Sequence, residues 1–421
     1  VYIHGMKKHL LLCLSFLGCM FMAFSQQRIP ANIAYGPATK GGTGGRVIKV
    51  TNLNNSGAGS FREAVAAKGP RIIVFEVSGV IDLDRSRISI QEPFITIAGQ
   101  TAPAHGITFI KGGIDIKTHD VIVQHISVRP GDAGAAPRNG WEPDGMATLG
   151  KNAYNIIVDH CSLTWAVDEN LSASGPRTGY DSTSRRITFS NNIIAESLYQ
   201  SSHTKGIHSM GSLVHDFVYD IAIVGNLYAC NNQRNPLFKG FTKGAVINNV
   251  IYNPGTAALH LVWHEDELKA FTGSIVPGQM TVVGNVLQKS SNSSAKMFLV
   301  SGKGDAYLHD NKAFEKNGDT VPQLGPGIRL LTDIPSWPGN YKAIAADSVL
   351  QYVLKHAGAR PAQRNATDQR IIDNVVHQKG ELINSQEQAG GYPVYTMVYR
   401  KLEVPDSGVE AWLQQMAEAV E

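Results

Sequence analysis

Short runs of apolar residues, most of them β-branched and alternating with polar positions, recur along the middle of the chain. They are Phe94–Ile97, Val121–Val123, Asn155–Val158, Arg186–Phe189, Ile221–Val224, Ala245–Ile247 and Met280–Val283. Runs of this length and composition predict strands. Most are followed closely by His or Asn, at His125, His160, Asn192, Asn226, Asn249 and Asn285, in steps of 35, 32, 34, 23 and 36 residues. An imperfect period of 20–40 residues predicts a solenoid, because one such unit cannot bury its own apolar face and must stack on its neighbours. In a parallel β-coil, the recurring Asn can bond the same side chain one coil above and below. In a β-sandwich, Asn would merely mark turns. A sandwich also requires hairpin signals every 8–12 residues, and Asn-Gly and Asp-Gly pairs are scarce between these strands. The pattern therefore predicts an all-β chain wound as a parallel β-helix.

The flanks are different. Val47–Thr51 and Arg71–Val77 read as strands, and Ser60-Phe-Arg-Glu63 is a capping box that opens a short helix over Ser60–Ala67. That helix is placed to cover the first edge of the coil. Beyond Asn285 the period fades. Ser290–Ser294 is a polar loop, and Pro322, Pro326, Pro335 and Pro338 mark an irregular crossing. Ser348–His356 reads as an amphipathic helix stopped by Gly358, residues 360–395 as a mixed arm, and Val409–Val420 as a terminal helix. The expected organisation is a targeting segment over 1–25, a β-helix catalytic domain over 26–325, and an arm over 326–421 packed on the coil without a core of its own.

Composition agrees with a chain of turns and apolar strands. Gly is 42 of 421 residues and charged residues are 17%, against averages of about 7% and about 25%. A formal charge of +3 gives no reason to expect nucleic acid. Met6-Lys7-Lys8-His9, the apolar stretch Leu10–Phe24 and Ala23-Phe24-Ser25 have the form of an export signal. On this reading residues 1–5 precede the native start, no membrane span is expected, and the protein is secreted or periplasmic. Leu17-Gly18-Cys19 leaves a lipid-anchored form at the cell surface open. Cys161 and Cys230, each inside an apolar strand pattern, read as buried thiols.

Candidate chemistry gathers between Asp144 and Lys239. Asp168 follows His160 by 8 residues and Arg234 follows Asn226 by 8; Lys205 follows Asn192 by 13 and Lys239 follows Asn226 by 13. Equal offsets suggest equal angular positions on the coil. Strands ~4.8 Å apart would then put the two lysines one coil apart, and Asp168 and Arg234 roughly 10 Å apart. The result is a groove with carboxylates at one end and cations at the other, suited to an anionic polymer carrying a divalent cation such as Ca²⁺, which takes 6–8 oxygen ligands. Each residue also has a plainer reading. Asp144 forms a turn in Pro-Asp-Gly, Asp159 and His160 are ladder or turn residues, and Glu169 is a solvated charge. Lys205, Arg234 and Lys239 are surface cations, and His203 and His208 either touch substrate or decorate a loop. No His/Cys spacing for zinc, no P-loop and no nucleophile elbow occurs.

These residues carry a resemblance. Val50-Thr-Asn-Leu53 with Ser60–Ala64, Arg71–Phe75, Ile97–Pro103, Val158-Asp-His-Cys-Ser162 with Trp165–Asn170, and Arg234-Asn-Pro-Leu-Phe-Lys239 together resemble the pectate lyases of polysaccharide lyase family 1. The resemblance implies a right-handed parallel β-helix that cleaves homogalacturonan by Ca²⁺-dependent β-elimination, acting as a monomer on an acidic polysaccharide. It implies Arg234 as the base, with Lys239 and Lys205 at the substrate; His203 and His208 join them as candidate substrate contacts because they flank Lys205. It implies Asp144, Asp168 and Glu169 around the metal, with Ser172 standing where the family usually has another Asp. Two other readings remain at this stage: a glycoside hydrolase using a pair among Asp144, Asp159, Asp168 and Glu169, and a coil that binds polysaccharide without turning it over.

Overall fold

The computed structural model describes residues 39–421. The targeting segment and the Cys19 site lie outside them. Among the described residues the strands form three sheets of eleven, ten and eight members. Apart from one antiparallel edge pair, every strand pairs in parallel with its counterpart one coil away, so the chain is a parallel β-helix. All the strands expected from the alternating runs fall in the eleven-stranded sheet, at Ile95–Ala98, Val121–Gln124, Tyr154–Asp159, Arg185–Ser190, Tyr219–Val224, Lys243–Ile247 and Gln279–Val283. From all but the first of these the chain turns a tight corner into the ten-stranded sheet; after Ile95–Ala98 it passes through the 3₁₀ turn Gly99–Thr101. It then loops to a short strand of the eight-stranded sheet, and loops back.

The corner explains the recurring His and Asn, and corrects their register by one residue. Two rows run along it. The first holds His125, His160, Asn191, Gly225, Asn248, Gly284 and Asp310, all with φ between 46° and 69°. That left-handed conformation favours Gly, Asn and Asp. The second row is the ladder proper. The backbone N–H groups of Cys161, Asn192, Asn226, Asn249 and Asn285 donate to the Oδ1 atoms of Asn192, Asn226, Asn249, Asn285 and Asn311, at 2.8–3.0 Å. His125 and His160 therefore belong to the turn row, where their rings stack 5.2 Å apart. Cys161 holds the ladder position beside them.

The eleven-stranded sheet is apolar on both faces, as fully covered parallel strands are. Ile73, Ile97, Val123, Val158, Phe189 and Ile223 point into the coil. Ala222, Val224, Ala245 and Ile247 point out and are covered by two helices, α2 (Ala346–His356) and α3 (Ala366–Val376). Ile72, Val74 and Ala98 are covered by Leu402 and by Leu413 of α4 (Val409–Glu418). The predicted N-terminal helix is present at Phe61–Ala66. Ser60 accepts from the Glu63 N–H, while Glu63 reaches back to the Gly59 N–H instead of to Ser60. Phe61 closes the coil's first end against Phe75 and Phe109. The candidate site lies beside the eight-stranded sheet, on the loops that border it.

Candidate active site

Loops flank the eight-stranded sheet on both sides. Asp144, Asp168, Glu169, His203, Lys205, His208 and Arg234 sit on the loops that enter it from the ten-stranded sheet, and Lys239 on a loop that leaves it. The pairing Glu169 to Met210 to Gln233 brings the Asp168–Glu169 loop within two coils of Arg234. Asp144 is fixed from below and above: its carbonyl accepts from Arg87 at 3.0 Å, and its Oδ1 accepts from the Glu169 N–H at 3.1 Å.

One oxygen from each of Asp144, Asp168 and Glu169 lies within 4.8 Å of the others. Burial, and then the neighbouring Asp168, push Asp144 up to about 7. Asp168 moves the other way. Burial would raise it, but hydrogen bonds from His203 and His208 and the charge of Arg234 bring it below the usual carboxylate range. His208 Nε2 is 2.6 Å from Asp168 Oδ1. His203 Nδ1 accepts the Lys205 N–H at 3.1 Å, so its proton sits on Nε2, 3.9 Å from Asp168 Oδ2. With that nitrogen protonated, His203 has no lone pair there for a metal, and the two rings orient the Asp168 carboxylate. The three carboxylates offer only hard oxygen donors, two of which resist being ionised together, and this set fits Ca²⁺.

Arg234 donates to Glu169 through Nη1. Burial pushes its guanidinium below its ordinary value, against the pull of Asp168, Glu267 and Asp144. Lys239 forms its own ion pair with Glu267. Two further residues here have no sequence motif to mark them. Glu267 comes from the irregular insertion after Leu259–Leu261. His260 lies in that strand, beside Leu237 of the preceding coil. Burial and the charges of Arg234, His264 and Lys239 push His260 down to about 4, so it is neutral near pH 7. Its outward place in Leu-His-Leu, with apolar neighbours pointing in, was the available signal.

Residue counting misplaces the lysines. Lys205 lies eight residues before the strand Leu213–Val214, and Lys239 directly follows Leu237–Phe238, which pairs with it. The two lysines therefore flank opposite sides of the sheet. Counting failed because the loop from Glu196 to Ser212 is far longer than its neighbours. Counting from His160 also started one row early, and the carboxylate that pairs with Arg234 is Glu169, not Asp168. Ser172 pairs with Ala147 inside the strand Leu171–Ser174, which directly follows the Asp168–Glu169 loop. His203 and His208 are 1% and 3% exposed, beneath Asp168 and not on the open surface. Cys161 and Cys230 are buried free thiols, as read from their pattern.

A parallel β-helix with clustered carboxylates beside Arg and Lys on the loops of one sheet is suited to a charged polymer. No family model matches the chain. Its relatives do identify it. The chain is 32% identical over 375 residues to a probable pectate lyase C of Aspergillus flavus, covering 86% of this chain and 80% of that one. It is 31% identical over 391 residues to the probable pectate lyase C of Neosartorya fischeri, covering 88% and 83%. Among solved structures, a Bacillus pectate lyase in complex with trigalacturonate superposes with a TM-score of 0.52, at 15% identity, over 76% of this chain and 95% of that one. The chain belongs to the pectate lyase family. It is a lyase acting on polysaccharides, and the hydrolase and binding-only readings fall away. No helix among the described residues is long and apolar enough to cross a membrane.

Proposed function

We propose that the groove over the eight-stranded sheet binds pectate and cleaves it by Ca²⁺-dependent β-elimination, with Arg234 as the base. The observation that carries this reading is the Asp144–Asp168–Glu169 cluster tied directly to a buried, depressed arginine. Arg234 would take the proton from the carbon next to a uronate carboxylate. The C–H electrons form the new double bond, and the neighbouring glycosidic oxygen leaves with its bonding pair. Asp144, Asp168 and Glu169 would hold Ca²⁺; when bound, the ion neutralises the uronate carboxylate on which charge builds. Glu169 is shared between that site and Arg234, so engaging it elsewhere releases the guanidinium from its counter-ion. Low solvent access then favours the neutral form of the base. His203 and His208 keep Asp168 ionised and aimed. Lys205 and Lys239 flank the groove as binding cations, and Lys239 reaches the polymer by exchanging Glu267 for a uronate. The form of residues 1–25 supports export, which brings the enzyme to its polymer.

The test is near-ultraviolet absorbance during incubation with de-esterified polygalacturonate, with Ca²⁺ and then with chelator. The expected result is a Ca²⁺-dependent rise from the conjugated product. New reducing ends without that rise would overturn the elimination.

A further inference from the structure

A second feature lies on the same flank, between loops that start three coils and one coil from that of Arg234 on its N-terminal side. The loop after Ile126–Arg129 and the long loop after Ile193–Ala195 lean together there. The Arg138 N–H donates to Ser201 O at 3.0 Å and the Gly140 N–H to Ser202 O at 2.8 Å. Between them is a cavity of about 260 Å³ lined by Pro137, Arg138, Gln200, Ser201, Gly206 and Ile207. That is the space of about nine waters at ~30 Å³ each, room for one sugar unit.

Its chemistry is that of an anion site with an apolar wall. No carboxylate lines it. The nearby Glu142 is engaged by the N–H and hydroxyl of Thr204, at 2.6 and 2.5 Å. Arg138 holds φ at 59°, an uncommon conformation for a residue with a side chain. Its guanidinium lies over Gly206, where a Cβ would sit 2.8 Å from Nη2. Gly206 itself has φ of 84°, so two constraints keep that position bare. Neither the Arg138 guanidinium nor the adjacent Lys205 ammonium has a carboxylate partner among the described residues. Ile207, 51% exposed, offers an apolar face, and Gln200 and Ser201 offer hydroxyl partners.

We propose that Arg138, seated over Gly206 and beside Lys205, forms a distal subsite that grips the carboxylate of a uronate unit remote from the bond being cut. This rests on the groove being the pectate site. The two loops that form it leave the ten-stranded sheet three coils and one coil before the loop of Arg234, up to roughly 14 Å along the coil, so a chain of several units is needed to occupy both. Arg138 supplies a planar donor fork matched to a carboxylate. The subsite therefore favours long, de-esterified chains over short ones.

The test compares wild type, Arg138→Gln and Arg138→Lys in equilibrium binding to polygalacturonate and to trigalacturonate, and in kcat and KM on both. Arg138→Gln is expected to weaken binding to the polymer and raise its KM by about five- to tenfold, the scale of one partly exposed charge-assisted pair. The loss on the trimer should be smaller. Arg138→Lys should retain part of the difference. Equal losses on polymer and trimer, or none on either, would overturn the subsite. Binding is read without turnover, so a wild type that forms no unsaturated product counts against the elimination and leaves the subsite to be judged on its own isotherms.

Discussion

Arg234 is held between two opposing influences: burial favours its neutral form, and Glu169, Asp168, Glu267 and Asp144 favour the charged one. If it is the base, Arg234→Ala should lower kcat by about 10²–10⁴-fold, the usual contribution of a general base, with polymer binding changed far less. An equal loss in KM and none in kcat would make it a binding residue only. Asp159 is a residue of the opposite kind, far from the groove and committed to the fold. Its carboxylate accepts from Gln124, Ser190 and Asn191 at 3.1, 2.7 and 3.0 Å and pairs with His160 at 2.9 Å. Burial opposes the ionised form, but His160 and these hydrogen bonds outweigh it and hold Asp159 below the usual carboxylate range. A depressed pKa contributes stability that is complete above the unfolded value near ~3.9 and is lost as pH falls towards the folded one. Asp159→Asn should therefore cost about 1–3 kcal/mol at pH 7, and the gap to wild type should narrow in acid. Urea unfolding at pH 7 and pH 3 measures both.

Among elements, the Asn ladder makes an internal comparison possible. Asn226, in its middle, accepts from the Asn192 backbone and side chain and donates to Phe189 O and to Asn249, each at 2.9 Å. Replacing it with Ala leaves several buried groups unpaired and should cost more than about 3 kcal/mol. Asn311, at the ladder's end and 8% exposed, should cost less; equal losses in chemical denaturation would mean that the rungs do not cooperate. The eleven-stranded sheet was legible in the sequence because its strands alternate in a fixed register. The ladder was legible to within one residue, since His, Asn and Gly in the left-handed row look like Asn in the row beside it. The loops were not. Nothing in composition says that the loop after Ile193–Ala195 doubles back on the loop bearing Arg138, or that Lys205 and Lys239 fall on opposite flanks. Helix α3 was missed although Asn365 caps it through Asp368, because Asn365 lies in a stretch without a long apolar period. The resemblance fixed on Asp144, Asp168, Glu169 and Arg234, which the fold brings together. It also named Ser172, which lies in the strand that follows the Asp168–Glu169 loop.

For the whole molecule, the three long helices α2, α3 and α4 pack on the eleven-stranded sheet and leave the groove to its loops. Its three carboxylates repel one another in a partly buried setting, so a bound divalent cation should stabilise the folded chain as well as activate it. Calcium is expected to raise the melting temperature and chelator to lower it, with activity following. A melting temperature indifferent to calcium while chelator abolishes activity would place the ion with the substrate and not in the protein.

The C-terminal arm has a consequence in time. Val398–Tyr399 pairs antiparallel with Val77–Ser78, on the exposed edge of the ten-stranded sheet, and Leu402 N–H reaches Glu76 across 326 residues of sequence. Coils can stack one upon the next as the chain leaves the ribosome, each needing only its predecessor. The first coil, made earliest, waits longest for its seal. Until the arm arrives, the nascent protein carries an open strand edge at its oldest end. A chain stopped short of residue 398 would keep that edge permanently and be drawn into edge-to-edge association, however well its catalytic coils had wound.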